Sequence, residues 1–245
     1  MRAGIAAYAP GFIPYCATFL IFTDYMRAAM RVCALSELRH LFVMTHDSIG
    51  LGEDGPTHQP IEHFASFRAM PNIYTWRPCG GNETAAAYQF GVEKKTAPTL
   101  MCFSRQGMPN YAGCTREGAI KGGYVVDDCE GTPSHILIGT GSELSLCMDA
   151  AAKLKEEGVA VRVVSMPCTE VFDEQSDEYK ESVLPEAVGK RVAVEAGVSM
   201  GWSKYFGPHG KFLGVEGFGA SAPGPEVYKE FGLTVENLVA IAKGL

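Results

Sequence analysis

The sequence has no C-x-x-C pair, no apolar run of the ~18 residues a membrane helix needs, and no excess of positive charge. Its eight cysteines (Cys16, Cys33, Cys79, Cys102, Cys114, Cys129, Cys147 and Cys168) are scattered. In a chain of this size they read as reduced thiols in a reducing compartment, not as a disulfide framework. Without an apolar span, membrane insertion is not expected. The N-terminal stretch MRAGIAAYAPGFIPYCATFLIF is apolar enough to suggest a signal peptide, but Pro10, Gly11 and Pro14 interrupt the core that such a peptide requires. With 28 acidic against 21 basic side chains and a net charge of −7, nucleic acid and anionic membrane are excluded as main partners. A phosphorylated ligand would need a local basic pocket.

What is present suits one large or two modest globular domains: 245 residues, 47% of them hydrophobic. Short apolar runs alternate with helical patterns, which points to two consecutive α/β domains with mainly parallel sheets. In the first, residues 1 to 12 read as a helix end closed by Ala9-Pro10-Gly11, and Thr18 to about Leu38 as one long helix. Leu41 to Met44, Asn72 to Trp76 and Thr99 to Phe103 read as strands, and 60–69 and 83–93 as helices. Residues 107–133, interrupted by Pro109, Gly113, Gly122, Gly123, Gly131 and Pro133, read as a broken connection. This sets domains at 1–112 and 133–245 with a linker at 113–132. The second domain reads as strands at 136–138, 161–165, 191–195 and 211–215, with helices at 142–157 and 173–182 and from Gly224 and Thr234. Gly139-x-Gly141 lacks the third glycine of a dinucleotide fingerprint, and Ser142 with Glu143 is explained by helix capping. Glu195 and His209 read as structural or surface groups.

Two stretches carry candidate chemistry. Phe19, Phe22 and Tyr25 recur every three residues, which on a helix makes a slanting aromatic ridge that could be core or could face a flat heterocycle. The loop THDSIGLGEDGPTHQP, residues 45–60, follows a buried strand, at the end where an open parallel sheet binds ligands. Gly50, Gly52, Gly55 and Pro56 permit tight turns, and His46, Asp54 and His58 add protonatable groups. An Asx-rich turn and a ligand loop both fit this composition. A metal site fits poorly, because the spacing matches no zinc pattern. Arg105, in SRQ after the strand Thr99 to Phe103, puts a cation at another strand exit.

THDSIGLGEDGPTHQP resembles the signature loop of transketolases. The resemblance continues through PYCATFLIFTDYMRAAMR, RAMPN, SRQ, VRVVSMPCTEVFDEQ, YKESVLP, RVAVEAG and FGASAP. It covers nearly the whole chain and corresponds to the C-terminal half of the family's usual polypeptide: a pyrimidine-binding domain without its first strand, then the C-terminal domain. The resemblance implies thiamine diphosphate as cofactor, with Phe19, Phe22 and Tyr25 around its aminopyrimidine ring. It implies that His46 and Arg105 hold the sugar phosphate, that Asp54 reads the C2 hydroxyl of the acceptor, and that His58 assists proton transfer as the catalytic histidine. The activity implied is two-carbon ketol transfer between sugar phosphates, a transferase reaction of the pentose phosphate pathway and Calvin cycle, in cytosol or plastid stroma. The Arg-Glu-His motif that activates the family's cofactor is not among these residues. The resemblance further implies that the cofactor's diphosphate and metal are held by a separate domain of the family, to be supplied here by a diphosphate-binding domain on another chain of an oligomer. Alternatively, the chain would be an inactive, transketolase-derived structural subunit of a larger assembly.

Overall fold

The computed structural model describes residues 2–9 and 11–245, so Pro10 of the expected Ala-Pro-Gly turn lies outside the described residues. After α1 (Arg2–Tyr8), the first unit comprises β1 (Tyr15–Phe19), α2 (Thr23–Leu35), β2 (Leu41–Thr45), α3 (His63–Arg68), β3 (Tyr74–Trp76), α4 (Gly80–Glu93) and β4 (Thr99–Phe103). Its four strands pair in the order β1-β2-β4-β3, all parallel. Phe42, Met44, Leu100, Met101 and Cys102 are buried, as expected for strands covered on both faces.

The long helix expected from Thr18 is corrected. Residues Tyr15–Phe19 form β1, pairing with Leu41–Thr45 from Tyr15↔Leu41 to Phe19↔Thr45. Leu20–Phe22 make a 3₁₀ turn and α2 starts only at Thr23. Aromatic and β-branched side chains favour this outcome once a neighbouring strand is available, so pairing overrides the helical spacing. Thr23 then anchors the turn, its hydroxyl donating to Leu20 O at 2.6 Å.

The second unit holds α5 (Arg116–Ala119), β5 (Tyr124–Asp127), β6 (His135–Gly139), α6 (Leu144–Glu156), β7 (Val161–Ser165), α7 (Thr169–Asp173), α8 (Asp177–Val183), β8 (Arg191–Val194), α9 (Ser203–Phe206), β9 (Lys211–Leu213), α10 (Gly224–Glu230) and α11 (Val235–Lys243). The sheet order is β5-β7-β6-β8-β9, parallel except for the antiparallel pair β5–β7. Residues 107–133 are therefore not irregular throughout, since they contain α5 and a strand of this sheet. Their glycines mark close approach as well as turning. Gly122 has φ +83°, and a Cβ there would lie 2.4 Å from Phe172 N.

The two units are joined through buried polar groups. Glu83, at the start of α4, accepts hydrogen bonds from Cys79 N (2.6 Å), Tyr124 OH (2.8 Å) and Ser165 Oγ (2.6 Å). Arg68 of α3 pairs bidentately with Glu195, at 2.7 and 2.8 Å, and Glu195 also accepts from Trp202 Nε1 at 2.7 Å. Glu195 is thus structural, and its carboxyl is held below the usual range by Arg68 despite burial. Exposed His209 belongs to no such pairing among the described residues. Among the described residues no helix is long and apolar enough to cross a membrane.

Candidate functional site

In-register pairing places the C-terminal ends of β1, β2 and β4 side by side, with Phe19, Thr45 and Phe103 level across the sheet. The next steps of the chain deliver Phe22 and Tyr25 from β1, His46 from β2 and Arg105 from β4. Ligands approach open parallel sheets at this edge.

His46 adopts φ +58°. This left-handed conformation is uncommon outside glycine, and histidine is among the residues that tolerate it. The turn lays the imidazole on Phe19, with ring centroids 3.7 Å apart and planes 17° apart. Phe19 and Phe22 are nearly parallel at 6.1 Å, because residues three apart eclipse across a 3₁₀ turn. Phe22 contacts Tyr25 at 6.2 Å and lies T-shaped to the His58 ring, with centroids 5.5 Å apart and planes at 85°. The ridge is open to solvent at its far end, where Tyr25 is 88% exposed.

Burial, then the positive charge of Arg105, hold the His46 pKa below its ordinary 6.5, while Asp54 and Asp47 oppose them. Arg105 and Asp54 are both exposed and within electrostatic reach of His46. His46 Nδ1 lies 3.0 Å from Thr45 Oγ1, and His58 Nδ1 lies 2.9 Å from Thr57 Oγ1. The fold thus brings all seven candidate residues (Phe19, Phe22, Tyr25, His46, Asp54, His58 and Arg105) to one edge. Among the described residues no group of three or more His, Cys, Asp or Glu side chains could hold a metal ion.

Sequence reasoning missed what holds the loop. Gln59 is buried and its amide donates to Gly52 O and to Ala220 O, both at 3.0 Å. Ser221 Oγ donates to Glu53 O. A Cβ at Gly219 would lie 1.8 Å from Gln59 Oε1, so a side chain there would displace the amide that pins the loop. Asp47, buried beside His46, is bound by Arg77. Nothing in the local sequence marks Arg77 as a core residue.

Profile comparison gives "Transketolase, pyrimidine binding domain" over residues 1–110 and "Transketolase-like TK C-terminal domain" over 122–234. The chain belongs to the transketolase family. It is 61% identical to the chloroplastic transketolase of Solanum tuberosum over 98% of its own length and 33% of that protein. Against the transketolase of Nostoc sp. the identity is 58%, covering 99% of this chain and 36% of that one. Among solved structures, the Pichia stipitis transketolase complex with sedoheptulose 7-phosphate matches with a TM-score of 0.94 and 46% identity, covering 98% of this chain and 35% of that chain. The chain spans about a third of the length of these transketolases.

Proposed function

We propose that this chain supplies the aminopyrimidine and sugar-phosphate side of a thiamine diphosphate site for two-carbon ketol transfer. A diphosphate-binding domain outside these 245 residues completes the site. The observation that carries the reading is the single cluster in which the Phe19–Phe22–Tyr25 ridge meets His46 and His58.

The cofactor fits this cluster chemically. Half-buried Phe19 and Phe22 and exposed Tyr25 offer ring faces and edges suited to a flat, polar heterocycle. When bound, thiamine diphosphate supplies the carbanion-stabilising chemistry of ketol transfer. The protein groups divide the remaining work. Arg105 offers a planar donor fork to a phosphate, and the His46 imidazole donates one further hydrogen bond. Asp54 accepts from a sugar hydroxyl. His58, at the ridge, moves protons as a general acid–base group. The chain acts within an oligomer, and the chloroplastic relative supports the plastid stroma as its compartment.

The test is turnover of a ketose phosphate donor and an aldose phosphate acceptor by the native protein, supplied with thiamine diphosphate and magnesium. His58→Ala should lower kcat by about 10²–10⁴, the range for loss of a general acid–base group. Unchanged kcat in that variant removes the role given to His58. Absence of turnover and cofactor in the native protein supports a purely structural subunit.

A further inference from the structure

Beneath the loop lies an ion cluster that the reading above leaves without a task. Arg77, just after β3, is fully buried. Its Nε donates to Asp47 Oδ2 at 2.8 Å, Nη1 to Thr140 O at 3.0 Å and to the Glu143 carboxylate, and Nη2 to Ser142 Oγ at 3.1 Å. The guanidinium also lies 4.7 Å from the centre of the Phe64 ring. One cation thus bridges a carboxylate of the first unit and a turn of the second. The fit is close: Gly141 has φ +52°, and a Cβ there would meet Arg77 Cγ at 2.7 Å. Tyr228 OH completes the cluster by donating to Glu143 at 2.6 Å.

Asp47 follows His46 directly. Thr45 ends β2 half-buried, yet Asp47 and Ser48 are almost wholly buried, so the chain turns inward within one residue. His46 makes that turn with its left-handed φ, and the turn sets its ring on Phe19. A carboxylate accepts this burial only if a counter-charge waits inside. Arg77 is that charge, and its own orientation is fixed by Thr140, Ser142 and Glu143.

We propose that Arg77 is a positioning residue for His46: gripped by the Thr140–Glu143 turn of the second unit, it holds Asp47 inward and so fixes the turn that lays His46 on Phe19. The second unit thereby shapes the His46 end of the site through Arg77 and Asp47, in addition to the 219–221 segment that pins the loop further on. The bearing on catalysis rests on the function proposed above, whereas the conformation of His46 can be measured without substrate.

The experiment is NMR of the 245-residue chain labelled at histidine, with the six histidines distinguished by His46→Gln. Stacking on Phe19 displaces the His46 ring protons upfield. Arg77→Met and Asp47→Asn should each lose most of that displacement, and Arg77→Lys, which keeps the charge but not the fork, should recover part of it. Glu83→Gln weakens a different contact between the units. It should lower the melting temperature and leave the His46 signals in place. Should Arg77→Met not fold, Asp47→Asn, which keeps the side-chain volume, carries the test. The proposal is overturned if the His46 signals stay put in folded Asp47→Asn, or if they move equally in Glu83→Gln. Titration with inorganic phosphate separates the two claims. Indifference of the wild-type His46 signal to phosphate contradicts the sugar-phosphate reading alone, and the ring displacement still decides the role of Arg77.

Discussion

Burial and then the positive charge of Arg105 depress the His46 pKa below its ordinary 6.5. A histidine with a depressed folded pKa binds fewer protons than its unfolded counterpart. It therefore costs no stability above pH 6.5, and it subtracts stability progressively as pH falls through 6.5 toward the folded value. Buried Asp47, Glu83 and Glu170 have raised pKa values, chiefly from desolvation, and titrate with the opposite sign. The His46 contribution is isolated by comparing wild type with His46→Gln. The melting temperature of the wild type relative to the variant should drop as pH falls below 6.5. A pH-independent difference contradicts the depressed pKa. Arg105 is tested through the substrate: on the proposed reading, Arg105→Gln removes a charge-assisted bond to phosphate. Its KM for a phosphorylated acceptor should rise by about 10- to 100-fold, corresponding to ~1.5–3 kcal/mol, with kcat little changed.

At the scale of elements, β2, β4 and β7 are legible in the sequence because each is a short apolar run whose burial on both faces leaves no competing pattern. Strand β1 is not legible, since aromatics at intervals of three suit a helix until pairing with β2 is considered. The strand-to-3₁₀-to-helix path nevertheless keeps Phe19, Phe22 and Tyr25 adjacent, so the aromatic ridge survives the correction of its secondary structure. Strand β5 is hidden among glycines and a proline that read as breakers. The loop and Arg105 were legible through motif and strand exit; Arg77 was not, because an arginine after an apolar strand has no local mark of burial. The tie between α4 and the second sheet yields a direct prediction. Tyr124→Phe leaves a fully buried Glu83 carboxylate short of one donor and should destabilise the fold by about 1–3 kcal/mol in denaturant unfolding. An unchanged unfolding midpoint would show that this contact contributes nothing net.

For the whole molecule, the two sheets act as one support. The second unit reaches the candidate site twice: its 219–221 segment pins the loop, and its Thr140–Glu143 turn anchors Arg77. Loss of the second unit should therefore disorder the loop even though the seven candidate side chains belong to the first. The chain is about a third of its relatives' length, and the aromatic ridge opens to solvent at Tyr25. On the proposed reading, the open end of the ridge is where a diphosphate-binding domain would close over the cofactor. The most direct measurement is the native mass of the protein isolated from its source, taken together with thiamine diphosphate-dependent ketose phosphate turnover. The account predicts association with a diphosphate-binding domain and turnover that His58→Ala slows. A protein held in a large assembly, with neither bound cofactor nor turnover, would contradict it.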